Sequence, residues 1–249
     1  RDLHSFPTRR SSDLQLVSSA GAAGSLTVGG TGDIPPLHFR DAHADLVGFD
    51  IDVLREIGKR IDREMKFVVI DDWSQATELL NSGKIDVIAS GMSITDERRS
   101  IYAMTKPLIN NYQAVTVPAD SPIKEQGDLS AKTVCAIKGS FVIAEVEKFR
   151  GKSGPVAAIK IGGNEFCLLS MLNGEADAAV GDWVAASYYV KHNPGVFRLL
   201  PGNFGEDKTA FGLRKSETGL RDQFDKALAD MDNDGTIKTI RERWFGKDK

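Results

Sequence analysis

Short apolar runs of strand length alternate with helix-periodic segments along most of this chain, and the alternation occurs twice. Residues 25–28, 66–70 and 85–89 read as strands, with helices over residues 48–60 and 74–80 between them. In the first of these helices Val53, Leu54 and Ile57 share one face. β character returns at residues 112–117, and the turn-rich stretch from Pro118 to Pro122 follows. The rhythm then repeats, with strands at 133–137, 157–161, 178–180 and 197–200 and helices at 141–149, 165–172 and 183–190. Asn164 is placed as the cap of the 165–172 helix. Residues 208–213 are again strand-like, and two helices over 219–231 and 236–245 end the pattern, divided by the turn Asp232-Asn233-Asp234-Gly235. Strands alternating with helices argue for parallel sheets covered on both faces. A chain of 249 residues has room for one large core or two smaller ones.

The composition narrows the function classes. The 32 basic and 35 acidic side chains give a formal charge of −3, which does not suggest a nucleic-acid surface. No apolar run approaches membrane-spanning length. Four histidines, His4, His38, His43 and His192, are scattered, and no serine–histidine–acid or metal-ligand cluster stands out, so neither a cofactor nor a metal is expected. Cys135 lies in an apolar strand and Cys167 on an apolar helix. An oxidising compartment would let them pair, but two separate buried thiols are the expectation. Residues 1–14 have no periodicity and resemble the translation of a sequencing adapter, and residues 15–23 resemble the tail of a signal peptide. Residues 1–24 are therefore set aside from fold reasoning.

One stretch carries site chemistry. Ser90-Gly91-Met92-Ser93-Ile94-Thr95-Asp96-Glu97-Arg98 follows the third strand. Its small residues let a ligand approach the backbone, Thr95 is suited to cap a helix, and Arg98 offers a planar fork to a carboxylate. The plain alternative is a surface arginine in a charged first turn.

This stretch resembles a signature of the polar amino-acid-binding proteins, the periplasmic substrate-binding components of ABC importers. Other matches stand in the family's order. Val28-Gly29-Gly30-Thr31-Gly32-Asp33-Ile34-Pro35-Pro36 resembles the first strand and its proline loop. Gly48-Phe49-Asp50-Ile51-Asp52 resembles the family's first helix start. Trp73, with the helix after it and Gly83-Lys84-Ile85-Asp86, resembles a third element, and Gly174-Glu175-Ala176-Asp177-Ala178 through Asp182 resembles one of the second lobe.

The resemblance implies a two-lobed periplasmic binding protein fold of type II. Each α/β lobe has a mostly parallel sheet flanked by helices, and two crossing strands join the lobes near residues 114–117 and 208–212. Lobe one would be residues 25–114 and 211–249, and lobe two residues 115–210 with the hinge strands. The resemblance assigns the ligand's carboxylate to Arg98, Ser93 and the backbone around Gly91 and Met92, and to the turn Lys138-Gly139-Ser140. It assigns the ammonium to Asp182, whose plain alternative is a helix cap. Trp73 would cover the ligand's side chain, with a core role as its alternative, and Thr31, Ile34, Phe141 and Asn164 occupy the remaining pocket positions. Thr31 stands where several binders of basic or amide amino acids carry aspartate, so a neutral or acidic ligand is expected over a basic one. The partners implied are an amino acid or related small carboxylate and a membrane permease, with the protein a monomer at the periplasm or the outer face of the cell membrane. Two other readings are an enzyme similar to cyclohexadienyl or arogenate dehydratases and the ligand-binding module of a sensory receptor. The first would need a carboxylic acid three residues after Asp182, where this chain has Ala185.

Overall fold

The computed structural model describes residues 24–138, 142–202 and 206–246. The expectations for residues 1–23, and for Ser140 and Phe141, fall outside the described residues.

Two main sheets organise the chain. The first has the spatial order Glu64–Val69, Ser25–Gly30, Val87–Ile88, Gly212–Arg214, Tyr102–Met104. Its first three strands are parallel, and Gly212–Arg214 runs antiparallel to both its neighbours. The second has the order Ala158–Gly162, Thr133–Ile137, Ala178–Asp182, Ile109–Pro118, Phe197–Leu199. Again the first three are parallel, and the long strand Ile109–Pro118 runs against its partners. A three-stranded ribbon, Asp33–Ile34, His38–Arg40 and Leu46–Val47, lies beside the first sheet.

Each main sheet is apolar on both faces, as a helix-covered parallel core requires. Val87 faces the cluster built from Phe49, Leu54 and Ile57 of helix Phe49–Arg60, with Phe211, Phe224 and Ile240. The next residue, Ile88, faces the opposite cluster, with Leu80, Met92 and Met104. In the second sheet Val134 and Val180 pack with Val142 and Val146, while Cys135 packs with Met171 and Phe197. Successive strand residues thus feed opposite cores.

The lobes are joined where Ile109–Pro118 pairs with Glu206–Thr209: Ile109 stands opposite Thr209, and Tyr112 opposite Glu206. From Gln113 onward the same strand pairs with Ala178–Asp182. The chain therefore passes between the sheets on two adjacent antiparallel segments. Residues 208–213, read as one strand, divide into two strands: Glu206–Thr209 belongs to the crossing and Gly212–Arg214 to the first sheet.

The cysteine expectation is corrected. Cys135 and Cys167 form a disulfide, with Cα atoms 5.4 Å apart. Strand Thr133–Ile137 and helix Asn164–Leu172 turn both residues into one small core, a meeting that burial patterns of the separate elements do not reveal. With 32 residues of sequence between them, the chain-entropy account gives a stabilisation of about 3–4 kcal/mol. Urea unfolding in the presence of dithiothreitol, or of a Cys135→Ala/Cys167→Ala variant, is expected to show that loss. An unchanged midpoint would remove the disulfide from the lobe's stability.

Candidate functional site

A cavity of about 400 Å³ opens between the two lobes. Its walls are the carboxyl ends of the parallel strands, where ligands of such sheets bind. Thr31, Asp33 and Ile34 follow the first strand, Val69 to Trp73 the second, and Ser90 to Ser93 the third. From the other lobe come Ile137 and Lys138, Gly162 and Gly163, and Gly181 and Asp182, each at the end of a strand. The third-strand loop turns on two consecutive left-handed residues, Ser90 at φ +84° and Gly91 at φ +66°. A side chain at Gly91 would meet Leu37 Cδ1 at 2.9 Å, so this wall needs glycine. Serine in that region is strained, and the contacts around it hold it there. Its backbone N–H and that of Gly91 donate to Asp50 Oδ2, at 3.0 and 2.9 Å. Its hydroxyl meets the Thr31 hydroxyl at 3.0 Å and accepts from Thr31 N–H at 3.2 Å.

Arg98 lines the same space from the helix Asp96–Ile101. Thr95 caps that helix, accepting the Arg98 N–H at 3.1 Å, and the guanidinium Nη1 donates to Ser93 O at 3.0 Å. One short segment therefore both starts the helix and aims its arginine. Asp182 stands at the start of helix Trp183–His192, yet its side chain makes no capping bond. Its Oδ1 accepts instead from Asn111 Nδ2 at 2.9 Å and Gln113 Nε2 at 2.8 Å, two amides of the crossing strand.

The cavity gathers Thr31, Ile34, Trp73, Gly91, Met92, Ser93, Arg98 and Asp182 from the sequence-derived set. Trp73 also packs on the core beside Leu80 and Met92. Asn164 is outside the lining. It is the first residue of its helix, with Gly163 as the cap, and its side-chain amide donates to Asp33 O at 3.3 Å. Its tie to Asp33 joins the lobes, as does the Tyr189 hydroxyl donating to Asp33 O at 3.3 Å. Lys138 Nζ reaches Asp72 Oδ2 at 2.6 Å and closes a third bridge, which holds the Asp72 carboxyl down at about 2. Sequence reasoning did not single out Asp72 or Gln113 as pocket residues. For Gln113 the signal was present, an amide in an apolar strand run; Asp72 sits in a loop where a carboxylate is ordinary. Among the described residues no cluster of three metal-ligating side chains occurs.

Two buried groups near the site titrate in opposition. Burial pushes the Asp50 carboxyl up to about 6; the Gly91 and Ser90 N–H groups oppose that, and the charge of Asp182 adds to it. Burial lowers His38 to about 4, with Arg40 adding to the shift. The raised Asp50 contributes stability that is full below pH about 4 and lost as pH rises through about 6. The depressed His38 contributes stability that is present above pH about 6.5 and lost as pH falls through about 4. Each is on the order of 3 kcal/mol, so they offset one another across that window. An Asp50→Asn variant removes one side. Its stability relative to the parent is expected to fall as the buffer goes from pH 6.5 to 4.5, read by urea midpoints. A constant difference between the two proteins would reject this assignment.

The sequence profile of the bacterial extracellular solute-binding proteins, family 3, matches residues 26–247. The chain is 32% identical over 219 residues to the lysine/arginine/ornithine-binding periplasmic protein of Escherichia coli (strain K12), covering 84% of this chain and 83% of that protein. It is 29% identical over 227 residues to the probable amino-acid-binding protein YxeM of Bacillus subtilis (strain 168), covering 90% and 84%. Among solved structures, an ancestral arginine-binding protein bound to arginine superposes with a TM-score of 0.83 at 34% identity, covering 90% of this chain and 99% of that one. A substrate-binding protein of an ABC uptake transporter from Streptococcus pneumoniae with bound histidine gives 0.85 at 26% identity, covering 90% and 93%. The two-lobed fold, the cavity at the strand ends and these matches have one explanation: the chain belongs to the bacterial extracellular solute-binding proteins, family 3.

Proposed function

We propose that this solute-binding protein captures one α-amino acid between its lobes for an ABC importer, with Arg98, Ser93 and the Gly91 backbone receiving the carboxylate and Asp182 the ammonium. The observation that carries this reading is the shared cavity: Arg98 of the first lobe and Asp182 of the second line one space of about 400 Å³, within the range of small-ligand sites. A ligand touching both lobes favours the closed arrangement by its differential contacts. The closed form then docks on a membrane permease, as a monomer acting outside the cytoplasm. The reading is binding without turnover. Ala185, where the similar dehydratases need an acid, is buried in the core and has no titratable proton to give.

The side-chain end of the ligand is basic in this proposal, which replaces the expectation drawn from Thr31. The cavity lining among the described residues holds Asp33, Asp71, Asp72 and Asp182 against Arg98 and Lys138. Lys138 is paired with Asp72. With Arg98 and Asp182 facing the ligand's own carboxylate and ammonium, Asp71 and Asp33, whose Oδ2 accepts the Asn164 N–H at 3.3 Å, are the further carboxylates of the lining, and the Trp73 ring in the same lining suits a cation. The relative named for lysine, arginine and ornithine fits that chemistry.

Isothermal titration with arginine, lysine, glutamine and glutamate tests the proposal. Arginine or lysine is expected to bind most tightly, and Asp33→Asn/Asp71→Asn to reduce that preference. Arg98→Ala and Asp182→Ala should each cost about 2–5 kcal/mol of affinity. Glutamate as the tightest ligand would overturn the selectivity alone, and parental affinity in both alanine variants would overturn the site. Formation of phenylalanine or phenylpyruvate from arogenate or prephenate would make the protein an enzyme.

A further inference from the structure

The crossing strand Ile109–Pro118 has a second side. Asn111 and Gln113 point to Asp182 and the amino-acid cavity. Strand alternation sends Asn110 and Tyr112 the other way, and there the Tyr112 ring stacks on Trp183 with centroids 5.2 Å apart. Beyond them lies a groove of about 750 Å³. Its walls come from both lobes: helix Trp183–His192 on one side, the 107–110 segment and helix Thr236–Phe245 on the other.

Aromatic rings form much of this groove: Trp183, Tyr188, Trp244 and Phe245. They are held in place. The Trp244 indole Nε1 donates to Asp52 Oδ2 at 2.9 Å, and Phe245 packs on Phe49 at 5.3 Å. Tyr188 lies between Phe39, at 5.7 Å, and the stacked ring of His192, at 3.9 Å. Fixed rings lose little freedom when a ligand arrives, which lowers the cost of binding. Trp183 and Phe245 are still more than a third exposed, so apolar surface faces the groove.

The charge of the lining is one-sided. Lys191 and Arg241 contribute positive charge to it, and no carboxylate lines it among the described residues. That is a local departure in a chain with 35 acidic and 32 basic side chains. Arg241 donates one bond, from Nη2 to Leu108 O at 3.1 Å, and its fork has further donors. Aromatic walls fit a flat apolar ring, and a basic lining without acids fits an anion attached to it.

We propose that this groove is a second small-molecule site, separate from the amino-acid cavity, that takes a planar aromatic carboxylate. The inference stands independently of which amino acid the first cavity binds.

Indole-3-acetate is the probe, and its neutral analogue indole-3-ethanol the control. Binding to the full chain is read by ligand-observed saturation-transfer NMR and by calorimetry. Indole-3-acetate is expected to bind with a Kd below about 1 mM, at least about tenfold more tightly than indole-3-ethanol. The exposed substitution Lys191→Glu, and the double variant Lys191→Glu/Arg241→Glu, should each weaken the acid about tenfold or more and leave the alcohol unchanged. Melting curves confirm that both variants fold. Arg98→Ala should not change the binding of either probe. Absence of saturation transfer at millimolar probe would overturn the proposal, as would equal binding of acid and alcohol. Loss of the acid in Arg98→Ala would assign it to the amino-acid cavity. A parent dimer that dissociates in Lys191→Glu/Arg241→Glu on sedimentation would assign the groove to a second copy of the chain and also reject the proposal.

Discussion

The grip of Asn111 and Gln113 on Asp182 is the interaction on which both the architecture and the site depend. The two amides are almost fully buried in a strand whose following residues are mostly apolar. Buried polar side chains of this kind are tolerated only when they are hydrogen-bonded, and Asp182 supplies the acceptor. The strand that carries them is the one that passes between the lobes. The position of the cavity's second-lobe carboxylate is therefore fixed by the crossing itself. Losing the carboxylate leaves two donors without it in the interior, so the site and the joint between the lobes share an energetic interest.

Backbone and buried charge cooperate in a similar way on the facing wall. Asp50 lies in the first turn of its helix, where a negative group is favoured. From there it reaches across to the Ser90 and Gly91 N–H groups. A helix start is thereby used to hold open a left-handed corner in a different element. The corner brings Gly91, Met92 and Ser93 to the cavity while Met92 anchors in the core below.

Much of this was legible in the sequence because it is local. The helix Thr236–Phe245, the Thr95 cap and the strand–helix rhythm are written in spacing and in residue type. What the sequence hid depends on meetings between distant elements. Residues 208–213 are continuous in β character, and only their partners, Ile109–Tyr112 on one side and Ile88 and Met104 on the other, divide them between two strands. The disulfide needs a helix and a strand to present cysteines to the same small core. Asn164 has the chemistry of a cap, but the helix takes Gly163 as its cap instead, and the Asn164 amide donates to Asp33 O, 131 residues away. Thr31 is one position of the lining, and Asp33 and Asp71 add carboxylates to the same cavity from segments that follow strands, where such residues are ordinary.

The paired crossing has an architectural corollary. Tyr112 and Glu206 are direct partners in an antiparallel ladder, so the chain leaves for the second lobe and comes back through a single doorway. Everything between them is a closed excursion, topologically a cassette set into the first lobe. A chain laid out in this way can exchange the whole cassette for another with the same doorway while the strands and helices of the first lobe keep their order and their neighbours. Divergence of the two cavity walls can then proceed as separate modules, with the doorway and the contacts between the lobes, Val184 and Ala185 in the first-lobe core among them, as the parts that both must preserve.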